Sequence, residues 1–216
     1  MQVLTPRIAL ELIAHEGLVP EAYRDVAGVW TWSVGITDAS GHRVHPRYRD
    51  NPQPLEHCLA VYLWALRTQY LPPVLAAFGQ HDPAEHELGA ALSFHYNTGA
   101  IRRAEWLRLF LAGDRDGARE AFLNWSRPAA IVPRRKRERD LFFDGAWSGD
   151  GCCTIYEVAK PGYRPTGGRR QDVRAIITRL LQPEPQRPTV TQVPDPDPRC
   201  AAAPKRSRNW FERLFD

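Results

Sequence analysis

The sequence predicts an α+β fold, mostly α, and three observations carry that expectation. A capped amphipathic helix opens the chain, short β-branched and aromatic runs around Gly28 and Gly35 follow it, and from Leu55 apolar residues recur at helical spacing. Thr5-Pro6 ahead of Ile8, Ala9, Leu12 and Ile13 reads as N-cap, first helical residue and buried face, with Gly17 as the stop. Val29 to Trp32, between the two glycines, suggests a hairpin or three-stranded sheet over residues 23–37, and residues 38–54 read as loop.

Leu55, Leu59, Tyr62, Leu63 and Leu66 then mark a helix that Pro72-Pro73 should interrupt. Residues 83–97 are apolar on nearly all sides around Ala90, Ala91, Leu92 and Phe94, as a central buried helix would be, ending at Asn97-Thr98-Gly99. Further helices are expected at about 101–112, 115–124 and 133–143. After Trp147 the composition turns to Gly, Cys and Pro, with one short helix at 171–182. Seven prolines then fill Pro183 to Pro204 as a linker, and Arg206 to Asp216 sets Trp210, Phe211, Leu214 and Phe215 beside three arginines.

At 216 residues with 43% hydrophobic and 25% charged side chains, wholesale disorder is excluded. No apolar run approaches the roughly 20 residues of a membrane span, and Met1 to Gly17 lacks the basic and apolar regions of a signal peptide. The net charge of +4 falls wholly in residues 148–216, leaving 1–147 neutral, which points weakly to an anionic contact outside the main body. Cys58, Cys152, Cys153 and Cys200 show no C-x-x-C pairing and read as reduced thiols. The histidines show no metal-ligand spacing, so neither metal nor cofactor is expected.

The chemistry concentrates between Glu16 and Thr37. Glu16 falls at the C-terminal end of the first helix, where the negative dipole end disfavours a carboxylate and suits a group that must hold a proton. Asp25 follows Tyr23 just before the Gly28 turn, where water can keep it ionised, and Thr31 lies on the returning strand. A protonated acid, an ionised carboxylate and a hydroxyl that can hold water are the requirements of glycoside hydrolysis. Each residue alone is ordinary: a surface glutamate at a helix end, an aspartate before a turn.

The spacing Glu16-x8-Asp25-x5-Thr31 resembles the catalytic signature of the phage-type lysozymes, the endolysin family of the phage T4 enzyme. Ser93-Phe94-His95-Tyr96-Asn97-Thr98-Gly99 is similar to that family's Ser-Phe-x-Phe-Asn-x-Gly helix end. Ala112-Gly113-Asp114, with Ala118, Phe122 and Trp125, resembles its next helix pair, and Arg134 to Phe142 its closing arginine helix. The resemblance covers about 5–147 and implies a lysozyme-like fold, a small β lobe and a helical bundle lobe joined by a long helix from near Leu55. It sets 1–147 as the catalytic domain, 148–182 as an extension, 183–204 as linker and 205–216 as a basic amphipathic segment.

By position, the resemblance makes Glu16 the general acid in cleaving the β-1,4 bond between N-acetylmuramic acid and N-acetylglucosamine in peptidoglycan. Asp25 would stabilise the oxocarbenium-like transition state and, with Thr31, position the attacking water, giving inversion. Arg135 is aligned with the arginine that reaches Glu16 across the cleft. His95 and Asn97 either bond the glycan N-acetyl groups or cap the buried helix. The resemblance also implies an endolysin that waits in the host cytoplasm and then acts at the cell wall; a monomer is the default expectation. Two departures stand out. Where the family reads Thr-Ile-Gly-Tyr-Gly-His-Thr, this chain has Ser33 for the first glycine and Ile36 for the histidine, which predicts apolar packing in place of an ion pair.

Other readings remain open at this level. The altered sheet motif fits a non-catalytic peptidoglycan-binding or virion structural protein, and a lytic transglycosylase would leave an anhydro sugar. Five basic residues between Arg134 and Arg139 resemble a phosphate-binding stripe, but Glu138 interrupts them and no aromatic platform is interleaved, so no nucleic acid is expected. The 205–216 segment could contact an anionic membrane or lipopolysaccharide, or dock on the body.

Overall fold

The computed structural model describes residues 4–182; the expected linker at 183–204 and terminal segment at 205–216 lie outside the described residues. Helix α1 (Pro6–His15) forms as its signals predict: Thr5 Oγ1 accepts the Ile8 N–H at 3.2 Å, and Pro6 sits where no N–H is required. The same hydroxyl donates to Glu85 Oε1 at 2.6 Å, pinning the start of α1 to helix α4 (Glu85–Thr98). Glu16 caps the far end, its N–H on Ile13 O. Gly17 is not the stop but the first residue of strand β1 (Gly17–Arg24). Its missing Cβ makes room for the Tyr156 ring, which would lie 2.5 Å from any Cβ there.

β1 pairs antiparallel with β2 (Trp30–Ser33), which pairs with the two-residue β3 (Ile36–Thr37). Ile36 is fully buried in the core, the apolar packing its sequence position predicts. Ser33 holds φ +55°, a left-handed conformation that explains a glycine at this position in the family pattern. It is retained here with its hydroxyl on Cys58 O at 3.0 Å.

The chain is then helical from Leu55 to Phe78: α2 (Leu55–Ala65), a π-helical turn (Leu66–Tyr70) and α3 (Leu71–Phe78). Pro72-Pro73 does not interrupt it. The widened turn, with Leu71 N–H reaching back five residues to Leu66 O, brings the prolines into the first turn of α3, where absent N–H groups cost least. Helix α4 runs through the core with Leu88 to Phe94 buried and ends at Gly99, φ +64°. Around it lie α5 (Glu105–Leu111), α6 (Arg115–Phe122) and α7 (Val132–Asp144).

The boundary expected at 147 is corrected. Strands β4 (Cys152–Ala159) and β5 (Arg164–Asp172) form a hairpin, and β4 pairs in parallel with β1, giving one five-stranded sheet ordered β3-β2-β1-β4-β5. Helix α8 (Arg174–Leu181) follows, and Cys153, Val173 and Ile177 are buried in the common core. The physical reason is edge coverage: without β4, one edge of β1 would expose unpaired backbone groups beside Glu16. Residues through 182 belong to one compact unit. Among the described residues no helix is long and apolar enough to cross a membrane.

Glu11 fastens this added segment to α1. Buried in the middle of the helix, it accepts from Ser148 N and Oγ and from Gly149 N at 2.6–2.9 Å, with His15 Nε2 3.4 Å away. Burial alone would raise its pKa, but these partners overcome it and hold the carboxyl at about 2, against an ordinary 4.5. A depressed carboxyl stabilises the fold above its unfolded value and loses that contribution as pH falls through the folded one. Urea unfolding should therefore show wild-type stability falling by roughly 3 kcal/mol between pH 5 and pH 2 through this group, and Glu11→Gln should remove that component. At Ser33, the Ala variant keeps the strained backbone and loses the hydroxyl bond, so Ser33→Ala should be less stable than Ser33→Gly by about 1 kcal/mol in the same measurement.

Candidate active site

Glu16 sits where α1 hands over to β1, with its side chain 24% exposed. The Arg134 guanidinium meets it: Nη1 donates to Glu16 Oε1. Arg134 also donates from Nε to Glu138 Oε1 at 2.9 Å and from Nη2 to Ser93 O and Oγ at 3.3 Å. Burial works against this cation, but Glu16 and Glu138 outweigh it and hold its pKa above the usual arginine range.

The arginine expected at Glu16 is therefore corrected: it is Arg134, not Arg135. Arg135 is fully buried, donating from Nη1 to Glu138 Oε2, from Nη2 to Asn97 Oδ1 at 2.8 Å and from Nε to Trp125 O at 3.2 Å, with its guanidinium 4.7 Å from the Phe94 ring centre. Glu138 lies four residues after one arginine and three after the other, so helical spacing puts both on its face. The roughly 100° between consecutive residues decides which turns toward Glu16. With both guanidinia buried in ion pairs, the basic run presents no continuous stripe to solvent.

Asp25 heads a tight turn. Its Oδ1 accepts from Ala27 N at 2.9 Å and Val29 N at 2.8 Å, and Gly28 supplies the left-handed residue, φ +79°. Oδ2 takes no protein hydrogen bond among the described residues. Thr31 Oγ1 donates to Val29 O at 3.2 Å, which commits its proton and leaves its lone pairs to accept from a water. Tyr23 is the cross-strand partner of Thr31, and Asp25 begins the turn just past the end of β1.

The charges of Glu16 and Asp25 both bear on the Tyr23 phenol. Its pKa is pushed up to about 12, by burial first and then by those charges. It stays protonated at neutral pH. Tyr62 and Tyr96 are likewise raised by burial and by Glu16; Tyr62 donates to Ala9 O, and Tyr96 to Val34 O in the β2–β3 turn. This phenol collar is a feature sequence reading missed, and the signal was Tyr96 in the Ser-Phe-His-Tyr-Asn run.

Thr31 is thus paired with Tyr23 across the strands, and the charges of Glu16 and Asp25 both reach the Tyr23 phenol. Asn97 is bonded to Arg135 and lines a separate cavity of about 380 Å³ with Thr98, Trp125, Pro128 and Ile131, which contains none of Glu16, Asp25 and Thr31. His95 does not join them: its Nδ1 takes the Ile101 N–H at 3.5 Å, and its pKa is lowered by burial and then by Arg102. Among the described residues no cluster of His, Cys, Asp and Glu could hold a metal ion.

The family model described as phage lysozyme matches residues 13–138, more than half of the sequence. The chain belongs to the phage lysozyme family. Among solved structures, this family member is similar to an endolysin from the Escherichia coli O157:H7 phage FAHEc1, with 24% identity over 68% of this chain and 97% of that one, TM-score 0.55. It is similar to a mutant of P22 lysozyme, with 25% identity over 67% and 99%, TM-score 0.53. The muramidase domain of SpmX from Asticaccaulis excentricus gives 23% identity over 66% and 98%, TM-score 0.51. No curated protein gave a significant match. About two thirds of this lysozyme-family chain accounts for nearly all of each relative, and its β4–β5 hairpin and α8 lie beyond the family match.

The network predicts a division between stability and function. Glu138→Gln leaves two buried guanidinia short of their shared anion and should cost about 3–5 kcal/mol in chemical denaturation. Glu16→Gln, at a partly exposed side chain and with Arg134 still held by Glu138, should change stability by less than about 1 kcal/mol. Equal costs would mean that Glu16 belongs to the structural core of the network.

Proposed function

We propose that this chain is a peptidoglycan muramidase, hydrolysing the β-1,4 bond between N-acetylmuramic acid and N-acetylglucosamine, and that it serves a phage or prophage as the endolysin of host cell lysis. The observation that carries the reading is a pair of unlike carboxylates that both bear on Tyr23: Glu16 on an arginine shared with Glu138, and Asp25 with Oδ1 held by turn amides and Oδ2 without a protein partner among the described residues. Membership of the phage lysozyme family supports it.

Glu16 gives its proton to the glycosidic oxygen as that bond breaks and charge develops on the sugar ring. Asp25 Oδ2 stabilises that charge and takes a proton from a water whose other hydrogen is accepted by Thr31 Oγ1; the water oxygen bonds to the anomeric carbon from the opposite face. Arg134 holds the carboxylate left on Glu16 after transfer. Asn97, with Oδ1 spent on Arg135, offers its Nδ2 to a glycan carbonyl, and His95 lies two residues away at the same helix end.

Reducing-end release from purified sacculi tests this directly. Glu16→Gln should lower kcat by at least about a thousand-fold with sacculus binding intact, and Asp25→Asn by about a hundred-fold or more. Full activity in Glu16→Gln would reject the acid assignment, and wild-type binding with no new reducing ends would identify a glycan-binding module instead.

A further inference from the structure

The β4–β5 hairpin lies outside the family match, yet its tip touches the turn that carries Asp25. Arg164 Nη1 donates to the Asp25 carbonyl at 2.6 Å and, more weakly, to the Arg24 carbonyl at 3.4 Å. The neighbouring Arg24 N–H donates to Tyr163 O at 2.7 Å. The clasp thus has donors in both directions, across about 140 residues of sequence.

Four further contacts keep the tip in place. The Tyr163 ring stands edge-on to Trp30, 5.1 Å between centres, and its hydroxyl donates to Asp50. Lys160 reaches Glu21 at 2.9 Å and Asp50 at 2.6 Å, tying the hairpin to β1 and to the loop before α2. Tyr163 itself holds φ +52°, a conformation that costs a non-glycine residue about 1 kcal/mol and persists only where surroundings impose it. Trp30 is not free to stack on a sugar, since His45 lies parallel to it at 4.7 Å and the Arg24 guanidinium sits 4.6 Å from the ring centre. The cluster is built to hold the turn rather than to bind a ligand.

The turn itself needs holding. Val26 is fully exposed, Gly28 is left-handed, and the carboxylate is fixed only by amides of the same five-residue loop. Its Oδ1 bonds fix Asp25 relative to the loop, not the loop relative to Glu16. We propose that Arg164 is a positioning residue for the reaction: by gripping the Asp25 carbonyl it holds the water-binding carboxylate at its working distance from Glu16. This builds on the reading of Asp25 as that carboxylate, and it gives the added hairpin a function in catalysis.

The test compares wild type, Arg164→Ala and Arg164→Lys, each alone and with Asp25→Asn, on soluble glycan strands, with amide exchange followed in the full chain. Arg164→Ala should lower kcat by roughly ten- to a hundred-fold with KM unchanged. Arg164→Lys and added guanidinium should each restore part of it. With Asp25→Asn present, removing Arg164 should cost nothing further. The Ala27 and Val29 amides should exchange faster in Arg164→Ala while those of α4 do not. Unchanged kcat, an equal loss in both backgrounds, or a loss that neither lysine nor guanidinium relieves would overturn the proposal. If the wild type releases no reducing ends, the muramidase reading fails, and the exchange of Ala27 and Val29 alone decides whether Arg164 holds the turn.

Discussion

A guanidinium buried between two carboxylates organises this molecule. Arg134 is taken out of water, where an unpaired cation would cost several kcal/mol, and its donors must all find acceptors. Glu138 on its own helix, Ser93 on α4 and Glu16 at the end of α1 supply them. Three elements distant in sequence are thereby fixed against one another. Of the two carboxylates, Glu16 is the one that meets solvent, so the guanidinium that Glu138 secures in the core also holds an acid at the surface.

The sheet completes the arrangement from the other side. Tyr96 leaves α4 to bond the β2–β3 turn at Val34, so the helix carrying Ser93 and Asn97 is tied to the strands carrying Thr31. Ser33 shows how a sequence departure is absorbed: its left-handed backbone is kept where the family pattern uses glycine, and a buried hydroxyl bond to Cys58 offsets part of the strain. Ile36 fills core volume without requiring a charged partner.

Much of this was legible in the sequence because it is local. Thr5-Pro6 with an apolar face specifies α1 and hence places Glu16 at a helix end, and Asp25 before Gly28 specifies the turn. What was not legible is non-local. Arg134 and Arg135 are adjacent on one helix, about 100° apart, and only the way α7 is rotated in its packing against α4 decides which reaches Glu16. The β4–β5 hairpin was hidden because β5 is polar and exposed along nearly its whole length, so it lacks the alternation that marks a half-buried strand. Pro72-Pro73 suggested a break because a π-helical turn leaves no mark in apolar periodicity.

The account's central claim is that water, held at Asp25 and Thr31, enters the product opposite a proton donated by Glu16. Mass spectrometry of muropeptides released in oxygen-18-labelled water reads this step. Hydrated muramic-acid reducing ends carrying one labelled oxygen are the predicted result. Products one water lighter, with a 1,6-anhydro ring and no label, would contradict it.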